Sequence, residues 1–258
     1  MATIIYPSPI FGPVRSRRLG ISLGVNLMPA DGKMCSFDCI YCECGFNSDH
    51  RPTLPRPTRQ EVKAALKAKL EEMCSCGELP DVITFAGNGE PTLHPDFPII
   101  IRDTIEVRNL LCPEAKISVL SNATMAMRPA VRDALMLVDN NIQKLDTVNA
   151  EYIHTVDRPG GRYDVENIIE ALKKFQGHVM VQTMFLKGTF NGKDVSNTSE
   201  DFFLPWLERV CEIAPEQVMI YTIDRETPAS GLQKASHEEL DKIAKLVEDA
   251  GLKVSVSY

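Results

Sequence analysis

The chain has 258 residues, 44% of them hydrophobic and 24% charged, with a formal net charge of −7. That length can bury a full core and suits one α/β-barrel-sized domain better than two small ones. The negative balance argues against a general nucleic-acid binder, which carries a basic surface, while leaving a local basic site open. No apolar run approaches bilayer length, since 97–101 is short and broken by Pro98, so no membrane partner is expected. The first twelve residues lack the basic start and apolar core of a signal peptide, which leads to the expectation of a cytoplasmic protein.

In chain order, 19–27 reads as a strand with Gly20 and Gly24 as permissive points. Thr58 and Glu61 form a capping box opening a helix, with Val62, Leu66, Leu70 and Met73 on one face. Residues 82–86 read as a strand that enters the turn Gly87-Asn88-Gly89. A helix across roughly 96–111, a strand at 116–120 and a helix at 129–138 follow, with Pro129 suited to a first turn. Next come a strand at 145–148, a helix at 164–175 closed by Gly177, and a strand at 179–186. The polar stretch 189–199 reads as a surface loop or lid. A helix at 201–213, a strand at 218–223, a helix capped by Ser236 and Glu239 and ending at Gly251, and a strand at 254–256 complete the chain.

Repeated βα alternation with apolar strands marks a parallel sheet with helices outside. About six units plus a terminal strand fall short of the eight of a closed barrel. The expected fold is therefore α/β, a partial (β/α)6-type TIM barrel in one domain, with 1–19 as an N-terminal extension and 20–258 as the barrel.

Eight cysteines stand at 35, 39, 42, 44, 74, 76, 112 and 211. In a reducing compartment such crowding between 35 and 44 points to metal. Cys35-Ser-Phe-Asp-Cys39-Ile-Tyr41-Cys42 follows the first strand, at the end where parallel α/β folds place their sites. Three thiolates can bind three irons of a cubane cluster and leave the fourth iron open. Three core cysteines on one helix face would share this spacing, but Pro29, Gly32 and Gly45 oppose a helix there. A zinc site on Cys35, Cys39, Cys42 and Cys44 is the sharper rival, although structural zinc usually takes two separated pairs.

The C-x3-C-x2-C motif, with the aromatic Tyr41 before its last cysteine, resembles the signature of the radical S-adenosylmethionine (SAM) superfamily. The resemblance implies a [4Fe–4S] cluster on Cys35, Cys39 and Cys42, with SAM chelating the open iron. An electron from a donor of flavodoxin or ferredoxin type would then cleave SAM to a 5′-deoxyadenosyl radical, which abstracts hydrogen from a substrate. Gly87-Asn88-Gly89-Glu90-Pro91 resembles the superfamily's Gly-Glu-Pro element, which receives the methionyl amino group. Ser121, Asn122, Asn149 and Gln182 lie at or near later strand ends. By the same resemblance they would contact ribose, carboxylate or substrate, and otherwise they are turn-forming residues.

Residues 12–20, 22–25, 87–93 and the run Tyr221-Thr-Ile-Asp-Arg225 look like the branch that contains the wyosine-base synthases of tRNA. The chain departs from those enzymes in having no cysteine before Cys35, which tells against their specific tRNA activity; the expected substrate is a small molecule, nucleoside or peptide, with nucleic acid left open. An activating enzyme for a partner glycyl-radical protein and a non-catalytic iron–sulfur or zinc protein are the alternatives. Arg15, Arg17 and Arg18 can bind a substrate anion or form an ion-pair belt at the barrel base. Cys74 and Cys76 can hold a second metal, whereas Cys112 and Cys211 read as packing residues. The five histidines form no ligand pair. Tyr163, Tyr221, Asp224 and Arg225 are candidates to line the substrate end.

Overall fold

The capping box at Thr58 does what its spacing predicts. The Thr58 hydroxyl accepts from the Glu61 N–H while the Glu61 carboxylate accepts from the Thr58 N–H, and helix α1 (Arg59–Cys76) buries Val62, Leu66, Leu70 and Met73. The structure, a computed structural model, describes residues 3–16 and 20–258. Arg17, Arg18 and Leu19, where part of the basic cluster and the first strand's start were expected, lie outside the described residues.

Strand β1 (Ile10–Ser16) runs antiparallel to β2 (Gly20–Val25). Then come α1, β3 (Val82–Phe85), α2 (Phe97–Leu111), β4 (Lys116–Ser121) and α3 (Pro129–Leu135). Strand β5 (Asn140–Lys144) leads to a short turn α4 (Ala150–Tyr152), which continues as a π-helical turn over Ile153–Asp157. Helix α5 (Val165–Lys173) and strand β6 (Met180–Met184) precede a hairpin of β7 (Leu186–Phe190) and β8 (Lys193–Asp194). Helix α6 (Glu200–Ile213), β9 (Gln217–Tyr221), β10 (Leu232–Lys234), α7 (His237–Asp249) and β11 (Val254–Ser257) close the chain.

The main sheet has the order β1-β2-β3-β4-β5-β6-β9-β11, and from β2 onward each pairing is parallel. Six strand–helix units and a terminal strand thus build the expected partial barrel. Its two edges are β1 and β11. No helix among the described residues is long and apolar enough to cross a membrane.

Three expectations are corrected. The stretch 1–19 is more than an extension, because it supplies the edge strand β1. The strand expected at 145–148 lies at 140–144 instead. Its Asn140, Asn141 and Gln143 look unlike a buried strand, yet each is buried and bonded: Asn140 to Ser118 at 2.7 Å, Asn141 to the His178 carbonyl at 2.9 Å, and Gln143 to Asn141 at 2.6 Å. The loop expected at 189–199 folds in part as the β7–β8 hairpin, and β10 pairs with β7 to make a small second sheet.

The sheet's two faces differ in chemistry. Leu23, Val25, Ile83, Phe85, Ile117, Val119, Val181, Val218 and Ile220 face the helices and form one core with Leu66, Phe97, Leu172 and Trp206. The alternate residues face inward; Ser22, Thr84, Ser118, Asn140 and Gln182 among them are polar, and Leu120, Ile142 and Met219 are apolar. Ser22 and Thr84 hydrogen-bond across this inner face at 2.8 Å. The outer face supplies most of the hydrophobic stabilisation, while the inner face carries several buried polar side chains.

Candidate active site

The cysteine segment lies beyond the C-terminal end of β2 and forms no helix, so the packed-helix reading of the spacing fails. It is a loop fastened on two sides. On one side Met34 forms a parallel bridge with Gly89. The Met34 N–H donates to the Asn88 carbonyl at 2.8 Å and the Glu90 N–H donates to the Met34 carbonyl at 3.2 Å. A Cβ on Gly89 would stand 1.9 Å from the Met34 oxygen, and its φ of +139° is open only to glycine. The second glycine of the Gly-Asn-Gly-Glu-Pro turn therefore lets the two motifs touch backbone to backbone.

On the other side, carbonyls at the end of the π-helical turn receive the loop's N–H groups. Asp38 donates to Asp157 at 3.0 Å and Ile40 to Val156 at 2.9 Å, while Gly160 donates back to Ser36 at 2.8 Å. A π-turn widens the helix and turns carbonyls outward, as it often does at functional sites. Phe37 packs against Tyr163 edge to face at 5.3 Å.

Cys39 is buried, whereas Cys35 and Cys42 are partly exposed. Burial and the Glu90 carboxylate push the Cys35 thiol up to about 12. Burial likewise lifts Cys39 well above the ordinary thiol range. Cys42 falls to about 6, because the Cys44 thiol hydrogen-bonds to it and the Lys33 ammonium stands beside it. The Cys44 sulfur also reaches the Gly87 carbonyl at 3.3 Å, linking the loop to the glycine turn again.

Glu90 is 2% exposed. Its carboxylate accepts from the Thr92 N–H at 3.0 Å, from the Thr92 hydroxyl and from the Asn122 N–H at 2.7 Å. Burial still raises it above the ordinary carboxyl range. Glu90 thus braces its own turn against the end of β4, and Pro91 opens the short 3-10 turn Pro91–Leu93 that follows. The Asn122 amide donates to the Ser36 hydroxyl at 2.9 Å and approaches the Cys35 sulfur at 3.6 Å, while Ser121 accepts from the Ala123 N–H at 3.1 Å. Asn149 is exposed and caps α4 by accepting from the Tyr152 N–H at 3.0 Å. Gln182 is buried on the sheet's inner face.

Sequence reasoning missed Lys33, Lys144, Asp146 and Asp157. Lys144, at the end of β5, lies 3.0 Å from Asp146 and also pairs with Asp157. Asp157 is 3.9 Å from the Cys39 sulfur, and the Tyr41 hydroxyl donates to Asp146. Although burial works against its charge, the two aspartates hold the Lys144 ammonium well above the ordinary lysine range. Burial pushes Asp157 up to about 7 against the pull of Lys144. A signal was present, since two charged residues flank an apolar one at a strand end in Lys144-Leu145-Asp146, but nothing local pairs them with the cysteines.

Other expected residues fall elsewhere. Arg15 is exposed on the edge strand. Cys74 and Cys76 are exposed at the end of α1, Cys112 is buried as expected, and Cys211 is exposed rather than packed. Tyr221 and Tyr163 pack at the edge of the cysteine-loop cluster. Arg225 joins the Tyr6 hydroxyl at 2.9 Å and Glu43 at 2.8 Å. His94, His154 and His178 are engaged with backbone carbonyls.

The donor set fits a cluster. Three sulfurs are soft ligands suited to iron–sulfur chemistry, and the buried Lys33 ammonium is held in the same loop by the Gly45 carbonyl.

The comparisons agree. The family model of the radical SAM superfamily matches residues 31–202. A UPF0026 protein of Helicobacter pylori is 31% identical over 254 residues, covering 97% of this chain and 76% of the relative. A Brachyspira hyodysenteriae protein named GTPase Obg is 28% identical over 93% of this chain, which spans only 33% of that relative's length. A radical SAM methyltransferase from Sphaerobacter thermophilus shares the fold with a TM-score of 0.66 at 16% identity, covering 92% of this chain and 66% of that one. An archaeal TYW1 does so at 0.54 and 14%, covering 89% and 72%. The chain belongs to the radical SAM superfamily, among the UPF0026 proteins, and is an enzyme whose cofactors are a [4Fe–4S] cluster and SAM.

Proposed function

We propose that Cys35, Cys39 and Cys42 hold three irons of the cluster, and that SAM is received beside them by the Gly87–Pro91 turn, Tyr41, Ser121, Asn122 and Asn149. The observation that carries this reading is the backbone contact of Met34 with Gly89, which brings the cysteine loop and the glycine turn together at the strand ends. When bound and reduced, the cluster supplies the electron that cleaves SAM to methionine and a 5′-deoxyadenosyl radical, which takes hydrogen from the substrate.

The chain's own residues position and enclose. Glu90 keeps the turn tied to Asn122, and the Asn122 amide steadies the Cys35 sulfur. Tyr41 stands against Lys144, whose ammonium is 5.4 Å from the ring centre, with its hydroxyl fixed by Asp146. Phe37, Tyr152 and Val156 pack around the loop and limit water at the sulfurs. The electron comes from an external donor of flavodoxin or ferredoxin type, and the substrate is a small molecule, nucleoside or peptide. All eight cysteines are free thiols, which suits a reducing compartment, the cytoplasm. Residues 1–258 act as one radical SAM domain.

The test is anaerobic reconstitution with iron and sulfide, reduction in the presence of SAM, and assay for 5′-deoxyadenosine in wild type and Cys39→Ala. Deoxyadenosine is expected from wild type alone. A protein that takes up zinc, or that holds a cluster and never cleaves SAM, would overturn the reading.

A further inference from the structure

Two lysines stand at the cysteine loop, Lys33 buried and Lys144 part-buried, and they are neutralised to different degrees. Lys144 sits between Asp146 and Asp157. Lys33, two residues before Cys35, is 3% exposed. Its ammonium donates to the Gly45 carbonyl at 2.6 Å, just past Cys42, so the buried charge is held inside the loop that carries Cys35, Cys39 and Cys42. The carboxylate facing it, Asp38, is 3.9 Å away and is occupied otherwise. One Asp38 oxygen accepts from the Asn47 N–H at 2.6 Å, and the other lies 3.3 Å from Arg158. A buried ammonium without a close carboxylate is costly unless another anion offsets it. Besides Asp38, the groups of this loop that can carry that charge are the cysteine sulfurs.

We propose that Lys33 is a positioning residue for the cluster, its ammonium raising the cluster's affinity for the electron that starts the reaction. The inference rests on the ligation proposed above. Three thiolates on a dicationic cluster leave one net negative charge. One electron, drawn from the external donor, which is thereby oxidised, makes it two. A fixed cation at the sulfurs stabilises the doubly negative form more than the singly negative one, most strongly where solvent is excluded. Lys144 contributes less, because its two aspartates already cancel its charge.

The experiment is a redox titration of the reconstituted holoprotein without SAM, followed by electron paramagnetic resonance of the reduced cluster. Lys33→Met keeps the length of the side chain and removes the charge. At the wild-type midpoint its ratio of reduced to oxidised cluster is expected to fall about tenfold, equivalent to about 60 mV for one electron. Lys33→Arg is expected to stay close to wild type. Asp38→Asn removes the opposing carboxylate and is expected to shift the midpoint the other way. If Lys33→Met carries a full cluster that titrates as wild type does, the inference is overturned. Should Lys33→Met fail to assemble the cluster, Asp38→Asn decides, and an unmoved midpoint there overturns it too. Loss of the Gly45 bond alone would lower the thermal midpoint of the apoprotein and leave the redox midpoint in place. A wild type that assembles no cluster would refute the ligation itself.

Discussion

The helix-facing layer and the cysteine-loop region are both buried, yet different forces hold them. Leu66, Phe85, Phe97 and Trp206 sit in a continuous apolar core, where Phe85 meets Phe97 at 6.3 Å and Trp206 meets Phe185 at 5.5 Å, both edge to face. The cysteine loop is held by carbonyl–amide contacts, a glycine with no room for a Cβ, and buried charges. The first region tolerates shape changes at a graded cost. The second has positions where one atom or one charge decides the outcome.

Gly89→Ala should separate the regions most sharply. The new methyl cannot coexist with the Met34 carbonyl, so the cysteine loop and the glycine turn must part. A misplacement of that order is expected to reduce SAM cleavage about a hundredfold, read as deoxyadenosine formed per cluster. The melting temperature should fall far less than the rate does.

Lys144→Met strands two buried carboxylates beside Tyr41 and Cys39. A loss of about 3–5 kcal/mol is expected in urea denaturation. The triple change with Asp146→Asn and Asp157→Asn should recover much of it. If the single variant were as stable as wild type, the pair would not be buried as described.

Leu66→Ala acts on the other region, removing a fully buried side chain from α1. It should cost about 2–5 kcal/mol while leaving deoxyadenosine yield per folded cluster unchanged. A selective loss of SAM cleavage would break the division between the two regions.

The smallest effect lies at the start of α7, at Glu239. Partial burial raises this carboxyl, but the Ser236 backbone, Thr198, Lys187 and the Ser236 hydroxyl together hold it down to about 2 from 4.5. Because its folded value is depressed, its contribution is fully present above about pH 4.5 and is lost as the pH falls through about 2. Glu239→Gln should therefore melt below wild type at neutral pH, with the gap closing as the solution is acidified. A constant gap would remove the linkage.

Much of this protein is legible locally. Both capping boxes, at Thr58 with Glu61 and at Ser236 with Glu239, form as their spacing requires, because a cap needs partners only three residues away. The helical faces follow from their period, and the parallel alternation implies the partial barrel. The C-x3-C-x2-C spacing and the Gly-Asn-Gly-Glu-Pro turn announce the superfamily, since each is complete within a few residues. Strand β5 was placed late, because polar side chains on a buried strand are satisfied by partners that periodicity does not reveal. Strand β1 and the hairpin were missed because pairing with a distant edge, more than composition, makes them strands.

The sequence by itself determined the ligand spacing, the helix starts and the strand–helix rhythm, all of which depend on neighbours in the chain. Only the tertiary structure decided which charges stand beside the sulfurs. Asp157 and Cys39 are 118 residues apart, and Lys144 reaches Asp157 only because β5 ends where the π-helical turn folds back over the loop. Even Lys33, so close to Cys35 in sequence, becomes a buried charge within the cysteine loop only once the loop curls around it to the Gly45 carbonyl and water is excluded. Burial strengthens a charge's field, and burial is a property of the whole fold.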